Sequence, residues 1–81
     1  AFTQNNKIDS TVYVSIFGII KDKDGFVNVR SEPKIGNNVI DSIFKNEVFR
    51  CIVLKRNWYY IEYWKKDVKK GYIYKSRVKD I

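Results

Sequence analysis

Apolar residues along this chain alternate with polar ones or run in short blocks rich in Val, Ile, Tyr and Phe. No segment sustains a helical period, so the pattern predicts strands. They are expected near residues 11–20, 26–30, 39–44, 47–55, 58–63 and 71–74. Turn residues separate them. Asp24-Gly25 marks a tight turn, and 32–38, with the only Pro, Gly36 and two Asn, reads as a longer loop. Lys45-Asn46 and Arg56-Asn57 are short hairpin connections, and 65–70 is a charged loop. Residues 75–78 read as a single helical turn, with Ser76 able to bond nearby backbone.

The two-residue period assigns faces. In the stretch from Trp58 to Tyr63, Tyr59, Ile61 and Tyr63 share one side, and Trp58, Tyr60 and Glu62 the other. Glu62 does not belong in a core, so Tyr59 and Ile61 are placed inside. In 47–55 the inward set is Phe49, Cys51 and Val53, which makes Cys51 a small buried hydrophobe rather than a reactive thiol. Short strands separated by turns at regular spacing predict an all-β fold, a small barrel of about five or six antiparallel strands closed on itself. Near the C-terminus it carries one 3-10 turn. The polar opening, residues 1–10, is expected to be a loosely held arm on a single domain of residues 11–81.

Composition narrows the chemistry. With no His and one Cys among 81 residues, there is no His-activated nucleophile, imidazole metal ligand, internal disulfide or thiolate cluster. No metal or other cofactor is expected. Aromatic residues at 16% supply the bulk a small core needs. The longest apolar stretch, residues 12–20, falls far short of a bilayer span, so no membrane insertion is expected. Sixteen Lys and Arg against nine Asp and Glu give a formal charge of +7. That charge fits attraction to an acidic partner, and equally a Lys- and Asn-rich compositional bias.

Two Ser-x-x-Lys matches, Ser42 to Lys45 and Ser76 to Lys79, lie in extended or turn segments. There the Ser and Lys point apart, whereas the penicillin-binding chemistry needs a helix that puts them on one side. Asp22-Lys23-Asp24-Gly25 begins like a calcium loop but continues with Val27 and Pro33, where that loop needs Gly and Glu. No acid/base pair or phosphate loop stands out, and no enzyme is expected.

Four segments, in order, resemble the bacterial SH3-like domain family. They are Phe26-Val27-Asn28-Val29-Arg30-Ser31-Glu32-Pro33 after the Asp-Gly turn, Val39-Ile40-Asp41-Ser42-Ile43, Asn57-Trp58-Tyr59, and Gly71-Tyr72-Ile73-Tyr74-Lys75-Ser76-Arg77-Val78. The resemblance covers residues 24–78, about two-thirds of the chain, and leaves 1–23 largely outside. It implies an SH3-like barrel and a non-catalytic attachment to envelope proteins, binding cell-wall peptide or glycan or an envelope partner. Proline-rich peptide binding is not implied. The positions that give eukaryotic SH3 domains their groove Pro and Tyr hold Tyr74 and Arg77 here, and the acidic loop is missing.

Two constellations stand out as binding candidates. Trp58, Tyr60, Tyr72 and Tyr74, flanked by Arg30 and Arg77, offer rings edged by guanidinium groups for sugars, peptides or bases. Lys65, Lys66, Lys69 and Lys70, with Lys55 and Arg56 on a neighbouring hairpin, form a possible basic patch, or a solvated tip that keeps an edge from aggregating. The expectation is an extracytoplasmic module for cell-wall peptide, glycan or an envelope protein, a start at Ala1 rather than Met pointing to an exported, processed chain. A single-stranded nucleic-acid-binding barrel and a small secreted inhibitor or immunity-type protein are the alternatives.

Overall fold

A computed structural model of the chain describes residues 11–21 and 25–81. The arm expected over 1–10, and the Asp22-Lys23-Asp24 part of the first turn, lie outside the described residues. Within them the fold is all-β, a sheet curled into a half-barrel compatible with a small SH3-like barrel. Its strands are β1 (Thr11–Ile20), β2 (Phe26–Arg30), β3 (Val39–Phe44), β4 (Phe49–Lys55), β5 (Trp58–Trp64), β6 (Val68–Tyr74) and β7 (Val78–Asp80). A 3-10 turn over Lys75–Arg77 links the last two. All pairings are antiparallel, in the order β3-β2-β6-β5-β4-β1-β7. Among the described residues the sheet does not close on itself by hydrogen bonds, because no pairing joins its outer strands β3 and β7.

Differences from the sequence expectation have local causes. β4 starts at Phe49 rather than Glu47 because Glu47 turns back on its own hairpin. Its carboxylate accepts the Phe44 amide at 2.7 Å, and its amide donates to the Phe44 carbonyl at 3.0 Å. The charged stretch after Trp64 is not one loop. Only Lys65–Asp67 turns, closed by the Lys65 amide on the Asp67 carbonyl at 3.1 Å, and Val68 to Lys70 already pair with Glu62 to Trp64. The seventh strand was not expected. β7 is three residues long, and it pairs with the far end of β1.

A second difference reverses two side chains. The register between β4 and β5 passes from Cys51 opposite Ile61 to Val53 opposite Tyr60, so β4 carries one extra residue at Ile52. Such a bulge flips everything beyond it to the other side. Phe49 and Cys51 are fully buried as expected, but Val53 joins the outer side with Tyr60, and Leu54 sits opposite Tyr59. A matching extra residue in β1, between Tyr13 and Ile16, keeps β1 in step with β4.

The core lies between two pieces. The β2–β3 hairpin contributes Val27, Val29 and Ile43. The β6-β5-β4-β1-β7 meander contributes Ile20, Phe49, Cys51, Ile61, Tyr63, Ile73 and Val78. The pieces meet where Arg30 of β2 pairs with Tyr72 of β6. There Gly71 is buried, and a Cβ on it would fall on the Val29 methyl and lie 3.1 Å from the Arg30 carbonyl oxygen. Only a residue without a side chain admits so close an approach. A second tie crosses the core: the Tyr63 hydroxyl donates to Asp41 Oδ2 at 3.0 Å, fastening β3 to β5.

That tie sets the electrostatics of the hairpin. Burial opposes the charge on Asp41, yet the Ser42 amide, the Tyr63 hydroxyl and the nearby Lys65 and Lys69 together hold its carboxyl below the ordinary value. Glu47 is lowered as well, first by the Phe44 amide, against burial, and then by Lys65. Burial and the Asp41 carboxylate push the Tyr63 phenol up.

Two outcomes follow. Gly71→Ala overpacks the seam and is expected to destabilise the fold by about 1–3 kcal/mol, a fall in Tm of roughly 5–20 °C by calorimetry. An unchanged Tm would show that the close approach relaxes freely. Because the folded pKa values of Asp41 and Glu47 lie below those of the unfolded chain, their stabilisation is complete above about pH 5 and is lost as pH falls below about 4. Tm is therefore expected to be flat near neutrality and to drop in acid, with Glu47→Gln showing a shallower acid decline.

Candidate functional site

The hairpin residues Arg56 and Asn57 deliver Trp58 onto the outer side of β5, opposite Tyr74 of β6 and Lys55 of β4. Arg56 takes the left-handed backbone, with φ of 57°. Although it faces outward, Trp58 is only 8% exposed. Tyr74 covers it edge-on, with ring centroids 5.1 Å apart and planes at 77°. The sequence expectation of an open Trp58 is corrected on this point: its ring is the floor of a cleft, and Tyr74, 39% exposed, is the wall a ligand meets.

This cleft has a volume of about 350 Å³. Val27 and Asn28 come from β2, Arg30 from its end, and Ser76 and Arg77 from the 3-10 turn. Ile35 enters from the loop between β2 and β3 and is 74% exposed. Four of the six expected ligand residues, Arg30, Trp58, Tyr74 and Arg77, thus come together. Asn28, Ile35 and Ser76 were not singled out from sequence. The signal for Ile35 was present: it is a large aliphatic residue in an otherwise polar loop, where burial alone gives no reason for it.

Arg30 has a definite job there. Its Nη1 donates to the Gly36 carbonyl and to Asn38 Oδ1, each at 3.0 Å. Asn38 in turn donates through Nδ2 to the Lys34 carbonyl at 2.9 Å, and the Ser31 amide donates to the Asn38 carbonyl at 2.9 Å. This network fixes the loop that presents Ile35.

The other two aromatic candidates form a neighbouring surface. Tyr60 and Tyr72 face each other across β5 and β6 with centroids 4.9 Å apart. The same row continues through Val53 to Tyr13, which is 82% exposed. Tyr60 and Tyr72 do not line the cleft around Trp58.

The six basic candidates fall into two groups, with Lys65, Lys66, Lys69 and Lys70 on the β5–β6 hairpin and Lys55 and Arg56 on the β4–β5 hairpin. Lys55 and Arg56 sit at the Trp58 end of β5, while Lys65 and Lys66 follow Trp64 at the other, about 20 Å away along the strand. Lys65 is held by Glu47, with Nζ 3.0 and 3.2 Å from the two carboxylate oxygens, and lies 5.2 Å over the Phe44 ring. Lys69 stands opposite Tyr63, and Lys70 opposite Glu62. No three of Cys, Asp and Glu gather into a metal-binding group among the described residues.

Compared with protein-family models, curated proteins and solved structures, the chain matches none.

Burial raises the Cys51 thiol to about 12, with Asp80 adding to the rise. The thiolate is the reactive form, so Cys51 is inert in the folded chain. An aromatic disulfide reagent at about pH 8 is expected to leave it untouched until the protein is unfolded in guanidinium chloride. Rapid native reaction would mean that the barrel opens at Cys51.

Proposed function

We propose that this chain is a non-catalytic binding module of the bacterial cell envelope. It takes cell-wall peptide or glycan, or an envelope partner, in the cleft around Trp58 and Tyr74. The observation that carries this reading is convergence. An indole floor, a phenol wall and the polar groups of Asn28, Ser76 and Arg77 meet in one concave site built from β2, β5, β6 and the 3-10 turn. Such a mixture of apolar surface and a few fixed polar groups is what a small binding site needs. The ordered run of segments resembling bacterial SH3-like domains supports the envelope setting, and the formal charge of +7 suits an anionic wall.

A single-stranded nucleic acid is less well served. It needs open ring faces in a basic groove. The Tyr13, Tyr60 and Tyr72 row supplies rings, but the cations near the barrel ends are spread apart.

The test is retention on purified peptidoglycan sacculi at moderate salt. The parent protein is expected to be retained. Tyr74→Ser and Arg77→Gln, both at exposed positions, are expected to weaken retention about tenfold each, with far-UV circular dichroism checking that each variant keeps its fold. A parent protein that washes through would overturn the reading.

A further inference from the structure

A second cleft, of about 340 Å³, adjoins the first and shares Tyr74 and Ser76 with it. Lys21, Asn57, Tyr59 and Lys75 line it, with Asp80 as the only carboxylate lining either cleft among the described residues. Its frame is held by backbone bonds: the Lys75 amide donates to the Asn57 carbonyl at 2.7 Å, and the Lys21 amide donates to the Arg77 carbonyl at 3.0 Å. These bonds stitch the 3-10 turn to the β4–β5 hairpin and to the end of β1. Bonds that hold the frame of a cleft reduce the ordering cost of binding there.

We infer that the ligand of this module is an extended acidic peptide that lies across Tyr74 and occupies both clefts, its carboxylates meeting Lys21 and Lys75. This inference rests on the binding-module reading and names the chemistry of its ligand. Three observations select that chemistry. Each cleft alone sits at the small end of ligand sites, which run from about 300 Å³, whereas the two share Tyr74 and Ser76 and so offer a longer ligand adjacent subsites. The clefts' neutral polar groups, Asn28, Asn57 and Ser76, both donate and accept, which suits a peptide backbone. Among the described residues their charged lining is cationic apart from Asp80. Nucleic acid is disfavoured because Trp58 is nearly buried and stands edge-on to Tyr74, which leaves no pair of open parallel rings to hold a base.

The test is amide-detected NMR of the whole chain, titrated with an alternating Ala-Glu peptide of about eight residues, long enough to cross both clefts. An Ala-Gln peptide of equal length and a thymidine oligonucleotide serve as comparisons. The acidic peptide is expected to shift amides on both sides of Tyr74, among them Asn57 and Lys75 on one side and Asn28 and Arg77 on the other. The Gln peptide is expected to bind about tenfold more weakly. Lys21→Gln with Lys75→Gln, both at exposed positions, is expected to cost the acidic peptide the same factor and leave Tm unchanged. Shifts confined to the Trp58 cleft, equal affinity for the Gln peptide, no binding, or tighter binding of the oligonucleotide would each overturn the inference. Retention of the parent protein on sacculi alongside any of these results would leave the module standing and remove only its acidic-peptide ligand.

Discussion

The barrel depends on how closely β2 can approach β6. At Gly71 the backbone of one piece lies against Val29 and the Arg30 carbonyl of the other, with no room for a Cβ. That contact lets the β2–β3 hairpin close over the meander, so that Val27, Val29 and Ile43 share one apolar interior with Phe49, Ile61 and Ile73. Burial of these side chains is the main favourable term in so small a domain. The Tyr63–Asp41 bond then fixes the free strand of the hairpin, giving a buried phenol the partner it requires.

The same closure builds the site. Because β2 meets β6 at Arg30 and Tyr72, the end of β6 and the 3-10 turn that follows it run past the base of the β2–β3 loop. Tyr74 lands on Trp58, Arg77 and Asn28 line one cleft, and Arg30 spends two hydrogen bonds holding the loop that offers Ile35. The cleft is thus a consequence of packing rather than an addition to it.

Charge is distributed by two separate rules. Carboxylates near the hairpin are used structurally: Asp41 accepts from Ser42 and Tyr63, and Glu47 accepts from Phe44 and Lys65. Lysines and arginines are dispersed around the barrel ends, with Lys21 and Lys75 brought together only because β1 and the 3-10 turn line the same cleft. A net charge describes the whole molecule, whereas recognition depends on which cations share one concavity.

The strands and most of their inward residues were readable in the sequence. Period-two alternation is a local property, and the burial of Phe49, Cys51, Ile61 and Tyr63 follows from it. The turn residues were also legible, since backbone geometry selects residue type within a few positions, whereas the need for Gly71 comes from a strand some forty residues away. The bulge at Ile52, the short β7, the covering of Trp58 and the separation of Lys65 from Lys55 were not. Each depends on which segment lies beside which, and alternation says nothing about register or neighbours. The sequence by itself determined an all-β chain with an aromatic outer side and no His-based chemistry. Only the tertiary structure decided which rings stay open and which cations meet, because burial and proximity are properties of strands brought together from distant parts of the chain.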